Sequence, residues 1–239
     1  MLGRCLQPCK LAGGQVVGME PGRAPDNQRP LCLALDFGGT KLAAGLVDWR
    51  HGRLLRQARR STSGQRGAEG QIADMLGMVA ADLRLRPEDW ASVWGVGISF
   101  GGPVDVESGT VLLSHHVTGW ENLALVRRIE DTYHCPVVME NDANAVALGE
   151  NLYGAGRGSA NMLYLTISTG IGGGLILDNR LRRGEHGVAG EVGHMVVRPG
   201  GPLCSCGNRG CLEALASGPA IAQRARNALA AGAPGPLLL

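Results

Sequence analysis

Apolar residues in this chain come in short runs, each closed by glycine, asparagine or aspartate, and this rhythm sets the elements it predicts. Order is expected from Leu31. Residues 31–36 form an apolar run fit for a buried strand, 37–40 a turn, 41–48 a second strand, and 53–62 a third strand of mixed pattern. Over 70–85, Ile72, Met75, Leu76 and Val79 share one face of a predicted helix. A buried strand over 92–100 follows, then a helix over 121–134 closed by Pro136, a strand over 136–141, and a helix of good formers over 142–154.

The second half repeats the first. A strand over 161–169, a glycine turn over 170–174 and a strand over 175–181 parallel LALDFGGTKLAAGLVD with LTISTGIGGGLILDN. Two copies of one strand–turn–strand hairpin predict two related lobes. A helix over 212–230 is expected to break near Gly218 and Pro219. Residues 1–29 carry neither helical nor strand period and read as a disordered tail, with Met19 an alternative start.

Composition narrows the classes. At 239 residues and 44% hydrophobic, the chain can bury one large or two small cores. A net charge of +2 steers it toward neither nucleic acid nor an anionic membrane, and no apolar run is long enough to span a bilayer. Glycine, 38 of 239 residues, is about twice its usual share. The excess lies in short clusters after apolar runs, where a backbone turns sharply or meets a ligand closely.

The strongest chemical signal is His194 followed by Cys204, Cys206 and Cys211. One imidazole and three thiolates make a closed tetrahedral set for a structural Zn²⁺. The competing reading is oxidation, with Cys204 and Cys206 in a disulfide loop. Seven cysteines is an odd number and no secretory signal is visible, which favours a reducing compartment, the cytoplasm. Cys32 and Cys135 read as small core residues. Glu191 and Glu213 flank the cluster, so a metal there fixes their orientation.

Two glycine turns offer backbone N–H groups to a phosphate: Asp36, Gly38, Gly39, Thr40 and Lys41 in the first, and Thr169, Gly170, Gly172 and Gly173 in the second. Asp36 could hold a Mg²⁺-bound water. Neither turn is a P-loop, and neither opens a helix as a dinucleotide fingerprint does. At the junction of an apolar strand and a helix stand Glu140, Asn141, Asp142 and Asn144. One cap needs one such residue, and the surplus points to chemistry, with Asp142 a candidate general base and a plain helix cap the alternative.

Together LALDFGGTK, GISFGGPVD, ENDANA, the stretch through GIGGGL to GEVGH, and CSCGNRGCLE resemble the ROK family of repressors and sugar kinases, over about 31–225. The resemblance implies an α/β, actin-like and hexokinase-like fold of two RNase-H-like lobes with ATP and sugar between them. The first lobe then covers 30–140, and 141–239 is a second lobe, incomplete at its C-terminus and bearing the zinc motif. It implies Asp142 as catalytic base. Gly101, Gly102, Asn141, Asp142, Glu191, His194 and Glu213 are implied as the sugar-binding set, with His194 shared between sugar and Zn²⁺. It implies both glycine turns as ATP sites, with Mg²⁺. The expected activity is ATP-dependent phosphorylation of a hexose; glucose is the default, and N-acetylmannosamine, N-acetylglucosamine, fructose and allose are rivals. A sugar-responsive regulator and a non-catalytic sugar-binding fragment are the alternatives. A full-length relative is expected to be a homo-oligomer, with neither nucleic acid nor membrane as partner.

Overall fold

The computed structural model describes residues 29–62, 65–114 and 117–232. The expected tail over 1–29 falls, except for Arg29, outside the described residues. The chain divides into two compact units, Met1–Ala145 and Val146–Leu239.

The first unit is built on strands β1 (Leu31–Phe37), β2 (Lys41–Asp48), β3 (Arg53–Ser61), β4 (Val93–Phe100), the short pair β5 (Val104–Asp105) and β6 (Thr110–Val111), and β7 (Val137–Asn141). Its helices are α1 (Gly67–Ala81), α2 (Pro87–Ser92) and α3 (Leu125–Tyr133), and α4 (Asp142–Tyr153) begins in it. The main sheet has the order β3-β2-β1-β4-β7. β1 pairs antiparallel with β2, and β2 with β3, as hairpin connections dictate. β1, β4 and β7 run parallel, joined by crossovers that contain α1 and α3.

β1 alternates: Leu33, Leu35 and Phe37 are buried, while Ala34 and Asp36 face outward. The strand expected to be buried is buried on one face. That face, with Val96, Ile98 and Phe100 of β4 and Met139 of β7, forms a single core with Ile72, Met75, Met78 and Val79 of α1 and Ile129 of α3. Trp120, fully buried, fills the core below the strand ends, and its ring meets Phe37 and Phe100 edge-on.

Helix α1 begins and ends earlier than periodicity predicts. Arg84 adopts a left-handed φ of 48° and Arg86 is extended, as the residue before a proline prefers. The short α2 was not expected. Asp89 accepts from the Arg86 backbone N–H, which caps it. Helix α3 is also shorter than predicted, ending at His134 with a φ of 52°.

The second unit carries an antiparallel sheet of order β10-β9-β8, from β8 (Met162–Ile167), β9 (Ile171–Leu177) and β10 (Arg180–Arg182). A 3₁₀ turn, Val192–His194, and helices α5 (Leu212–Ala216) and α6 (Gly218–Ala230) complete it. The expected glycine turn over 170–174 is corrected. Ile171, Gly172, Gly173 and Gly174 lie inside β9, paired with Ile167, Thr166, Leu165 and Tyr164, so the turn is 168–170. Gly173 belongs in a strand because the Gly190 carbonyl approaches it: a Cβ there would stand 2.9 Å from that oxygen. The predicted strand over 175–181 is two strands, turned at Asp178 and Asn179, both with positive φ.

The predicted helix break falls at Ser217, whose hydroxyl accepts from the Ala220 N–H to cap α6. No described residue of α6 is buried, so tertiary packing contributes little to it and the cap matters more. Ser217→Ala is expected to cost about 0.5–2 kcal/mol of helix stability, seen as faster amide exchange over 220–230 with α1 exchange unchanged.

Candidate functional site

The parallel register places three sequence motifs side by side. Asp36, Ser99 and Glu140 align across β1, β4 and β7, and one step on Phe37, Phe100 and Asn141 align. Gly38, Gly101 and Asp142 therefore emerge at the carboxyl ends of adjacent parallel strands, where α/β sheets bind ligands.

At that edge the Gly101 N–H donates to the Phe37 carbonyl at 2.9 Å, locking the two glycine segments together. A Cβ on Gly101 would lie 3.6 Å from Asp142 Oδ2 and 3.7 Å from Gly38 Cα. The bare glycine thus leaves open space in front of the Asp142 carboxylate. Asp142 Oδ1 accepts from the Ala143 N–H at 2.8 Å. Burial, with the Asp36 carboxylate adding repulsion, raises the Asp142 pKa above the ordinary aspartate value against that hydrogen bond. Asp36 Oδ1 accepts from the Ser99 hydroxyl at 2.7 Å.

Asn141 is the helix cap. Its Oδ1 accepts from the Ala143 and Asn144 N–H groups at 3.0 and 3.3 Å, and its Nδ2 donates to the Gly102 carbonyl at 3.2 Å. The helix-cap reading thus holds for Asn141, and Asp142 Oδ1 shares the Ala143 N–H with it while Asp142 Oδ2 lies toward Gly101. Buried Glu140 accepts from Asn144 Nδ2 at 3.1 Å and from the Asn141 N–H, steadying the strand-to-helix junction from below.

The first turn is closed by the Gly38 N–H donating to the Lys41 carbonyl at 3.0 Å, and the Thr62 N–H donates to the Thr40 carbonyl at 2.9 Å. A Cβ on Gly38 would sit 2.9 Å from the Lys41 oxygen, so the turn requires glycine there. Gly39 and Thr40 form its outer part.

In the second unit, Thr169 and Gly170 occupy the other hairpin turn, while Gly172 and Gly173 are strand residues. Glu213 buttresses this turn. Its Oε2 accepts from the Ile171 N–H at 2.9 Å, and a Cβ on Gly170 would come within 2.5 Å of the same oxygen. Its Oε1 accepts from the Ser205 hydroxyl at 3.3 Å. The Gly218 N–H donates to the Ser168 carbonyl. Sequence reasoning did not find these supports, since only the spacing between distant segments reveals them.

His194, Cys204, Cys206 and Cys211 present ligand atoms all within 4.8 Å of one another. Cys204 Sγ lies 3.5 Å from His194 Nδ1, and Cys206 Sγ lies 3.7 Å from Cys211 Sγ. Around a tetrahedral zinc, with thiolates at about 2.3 Å and an imidazole nitrogen at about 2.0–2.1 Å, those edges are about 3.6 and 3.8 Å. The residues fit the metal. None of the three cysteines is paired in a disulfide. Burial, then the neighbouring thiols, push Cys211 up to about 12, while the Asn208 backbone holds Cys206 below its ordinary value. A divalent cation resolves that crowding by displacing the protons. With Nδ1 turned to the thiols, His194 Nε2 faces Glu191 Oε2 at 3.9 Å. Glu191 is well exposed, and the imidazole divides its two nitrogens between cluster and carboxylate.

Residues 32–235 match the ROK family. The chain belongs to it. A glucokinase of Thermotoga maritima is 40% identical over 189 residues, covering 79% of this chain and 58% of that protein. A xylose repressor of Bacillus subtilis is 40% identical over 147 residues, 62% of this chain and 38% of that protein. The crystal structure of a ROK family glucokinase from Streptomyces griseus, in complex with glucose and AMPPNP, superposes with a TM-score of 0.71 at 41% identity, covering 84% of this chain and 62% of that one. The chain spans less than two thirds of the length of these relatives. Its α/β architecture is the actin-like fold of the ROK hexokinases and glucokinases. Among the described residues, no helix is long and apolar enough to cross a membrane.

The raised pKa of Asp142 has a consequence for stability. An acid whose pKa is higher folded than unfolded destabilises the fold above that pKa and does not below it. Asp142→Asn keeps an acceptor for the Ala143 N–H and removes the charge. It is expected to raise the melting temperature at neutral pH, with the gain shrinking to nothing as pH falls through the carboxylate range. Thermal melts of both proteins across pH check the sign.

Proposed function

We propose that this chain is the larger part of an ATP-dependent hexose kinase, with glucose the first sugar to test and Asp142 the general base. One observation carries the reading: the Asp142 carboxylate, its pKa raised and its surface open to solvent, stands beside Gly101 and Asp36 at the ends of adjacent parallel strands. A carboxylate moved toward neutrality is a better base for a sugar hydroxyl than an ordinary aspartate.

In this proposal the sugar hydroxyl attacks the γ-phosphorus. The bond from the γ-phosphorus to the bridging oxygen breaks, ADP leaves, and Asp142 takes the hydroxyl proton. In the first unit the backbone N–H groups of the turn at Gly38–Thr40 are the donors to phosphate oxygens, and in the second unit those of the turn at 168–170 are. Asp36 would hold a Mg²⁺-bound water, and the ion would supply charge that neutralises the phosphates. In the second unit Glu191, His194 and Glu213 are the groups offered to sugar hydroxyls; in the first unit the loop at Gly101 and Gly102 is. Glu213 keeps lone pairs for that role beyond the two hydrogen bonds it already accepts. Positioning does most of the work, since the phosphoryl transition state is loose. His194 and the three cysteines would hold a zinc whose role would be structural, fixing the loop that carries Glu191 and Glu213.

The repressor match favours a second reading, a sugar-sensing regulator. That reading and a non-catalytic fragment share the sugar site and lack turnover, so a coupled ADP assay separates them. With this chain and a version extended to the relatives' length, supplied with glucose, N-acetylmannosamine and N-acetylglucosamine, turnover by either supports the kinase. Asp142→Asn is expected to lower kcat by about 10²–10⁴ while calorimetric sugar affinity stays within a few fold. Full activity in that variant refutes the base. Elemental analysis is expected to find one zinc per chain. Cys206→Ser is expected to lose it and to speed amide exchange over 190–213, with the first unit's exchange unchanged.

A further inference from the structure

Gln71 on α1 is 2% exposed, a polar side chain inside an otherwise apolar core. Its amide orientation is fixed. Trp120 Nε1–H, which can only donate, reaches Gln71 Oε1 at 3.0 Å. Gln71 Nε2 must then face the other way, where it donates to the Gly38 carbonyl at 3.3 Å and to Thr62 Oγ1 at 3.4 Å. The Trp120 ring is itself held by Phe37 and Phe100, the residues immediately before the two glycine pairs, at centroid distances of 5.6 and 4.9 Å.

The Gly38 carbonyl and the Gly39 N–H belong to one planar trans peptide and point in opposite directions. An amide donor that holds the carbonyl inward therefore aims the Gly39 N–H away from the core. We propose that Gln71 is a positioning residue that sets this peptide plane, so that the Gly39 N–H stands ready for a phosphate oxygen, with Trp120 locking the Gln71 amide in the required sense. The inference rests on the kinase reading only in taking the ligand to be a nucleotide phosphate. A leucine would fill the same space with no desolvation cost; the buried amide makes sense if the orientation of the turn is what it secures.

Two substitutions separate positioning from packing. Gln71→Met keeps length and volume and removes all three hydrogen bonds. Gln71→Glu keeps an acceptor for Trp120 but sets a carboxylate oxygen against the Gly38 carbonyl, which repels it. Calorimetric titration of each folded protein with Mg·AMPPNP is expected to show affinity about tenfold to a hundredfold weaker than the parent, the worth of one hydrogen bond to a charged group. The Gly39 amide signal is expected to shift in the unliganded variants. Variants that melt earlier yet bind Mg·AMPPNP as the parent does, with the Gly39 amide unmoved, overturn the inference and leave the kinase reading intact. Absence of affinity for Mg·AMPPNP both in this chain and in the version extended to the relatives' length overturns both. If Gln71→Glu fails to fold, Gln71→Met decides alone.

Discussion

The parallel register of β1, β4 and β7 is the constraint on which the first unit's chemistry depends. Strand alternation commits Leu33, Leu35 and Phe37 to the core, and that commitment fixes which residue of β1 lies beside which residue of β4. A slip of one residue would bury Asp36 and expose Phe37. Because Phe37, Phe100 and Asn141 end level, the turns that follow them leave the sheet together. The carboxylates of Asp36 and Asp142 then come close enough for one to raise the pKa of the other. Apolar burial, which carries no chemical information of its own, thus sets the distance between the reactive groups.

The second unit solves a different problem. From Arg183 to Cys211 its only regular element is the short 3₁₀ turn that ends at His194, and many of its large apolar side chains, Val188, Val196, Val197 and Leu203 among them, are at least half exposed or nearly so. Such a segment has little core to order it. What orders it is local: isolated bridges between Val196 and Cys211 and between Leu203 and Arg209, backbone hydrogen bonds such as Cys204 N–H to the Asn208 carbonyl, and the converging ligand atoms of the cluster. A metal contributes most where packing contributes least.

Much of the frame was legible because burial leaves a period in sequence. The strands at Leu31, Lys41 and Val137 and the break before α6 follow from alternation, glycine and proline. The convergence of His194, Cys204, Cys206 and Cys211 was legible from spacing alone, since groups near in sequence need no knowledge of the fold. Where the reading went astray, a long-range contact had overridden a local signal. Glycines 172–174 look like a turn, yet they are strand, because the Gly190 carbonyl approaches Gly173 too closely for any side chain. Gln71 reads as one polar residue on a helix, and nothing local says that it meets Trp120, 49 residues on. Glu213 reads as an acid beside a metal site, and its tie to Ile171 spans 42 residues.

The two hairpin turns show what the internal repeat preserves and what it does not. Both are antiparallel, β1 with β2 and β8 with β9, and each has a buttress outside the hairpin. The first is a neutral amide donating to a carbonyl; the second is a carboxylate accepting from an N–H. The difference has a physical consequence. A buried amide works at any pH and is insulated from solvent ions. A carboxylate that also accepts from Ser205, set between Cys204 and Cys206, ties its turn to the loop that carries the Cys/His cluster. Disorder in that loop therefore has a direct route to the second turn through one side chain, whereas the first turn is secured by the core alone. The repeat supplied two similar hairpins, and different neighbours made one a rigid fixture and the other dependent on the Cys/His cluster.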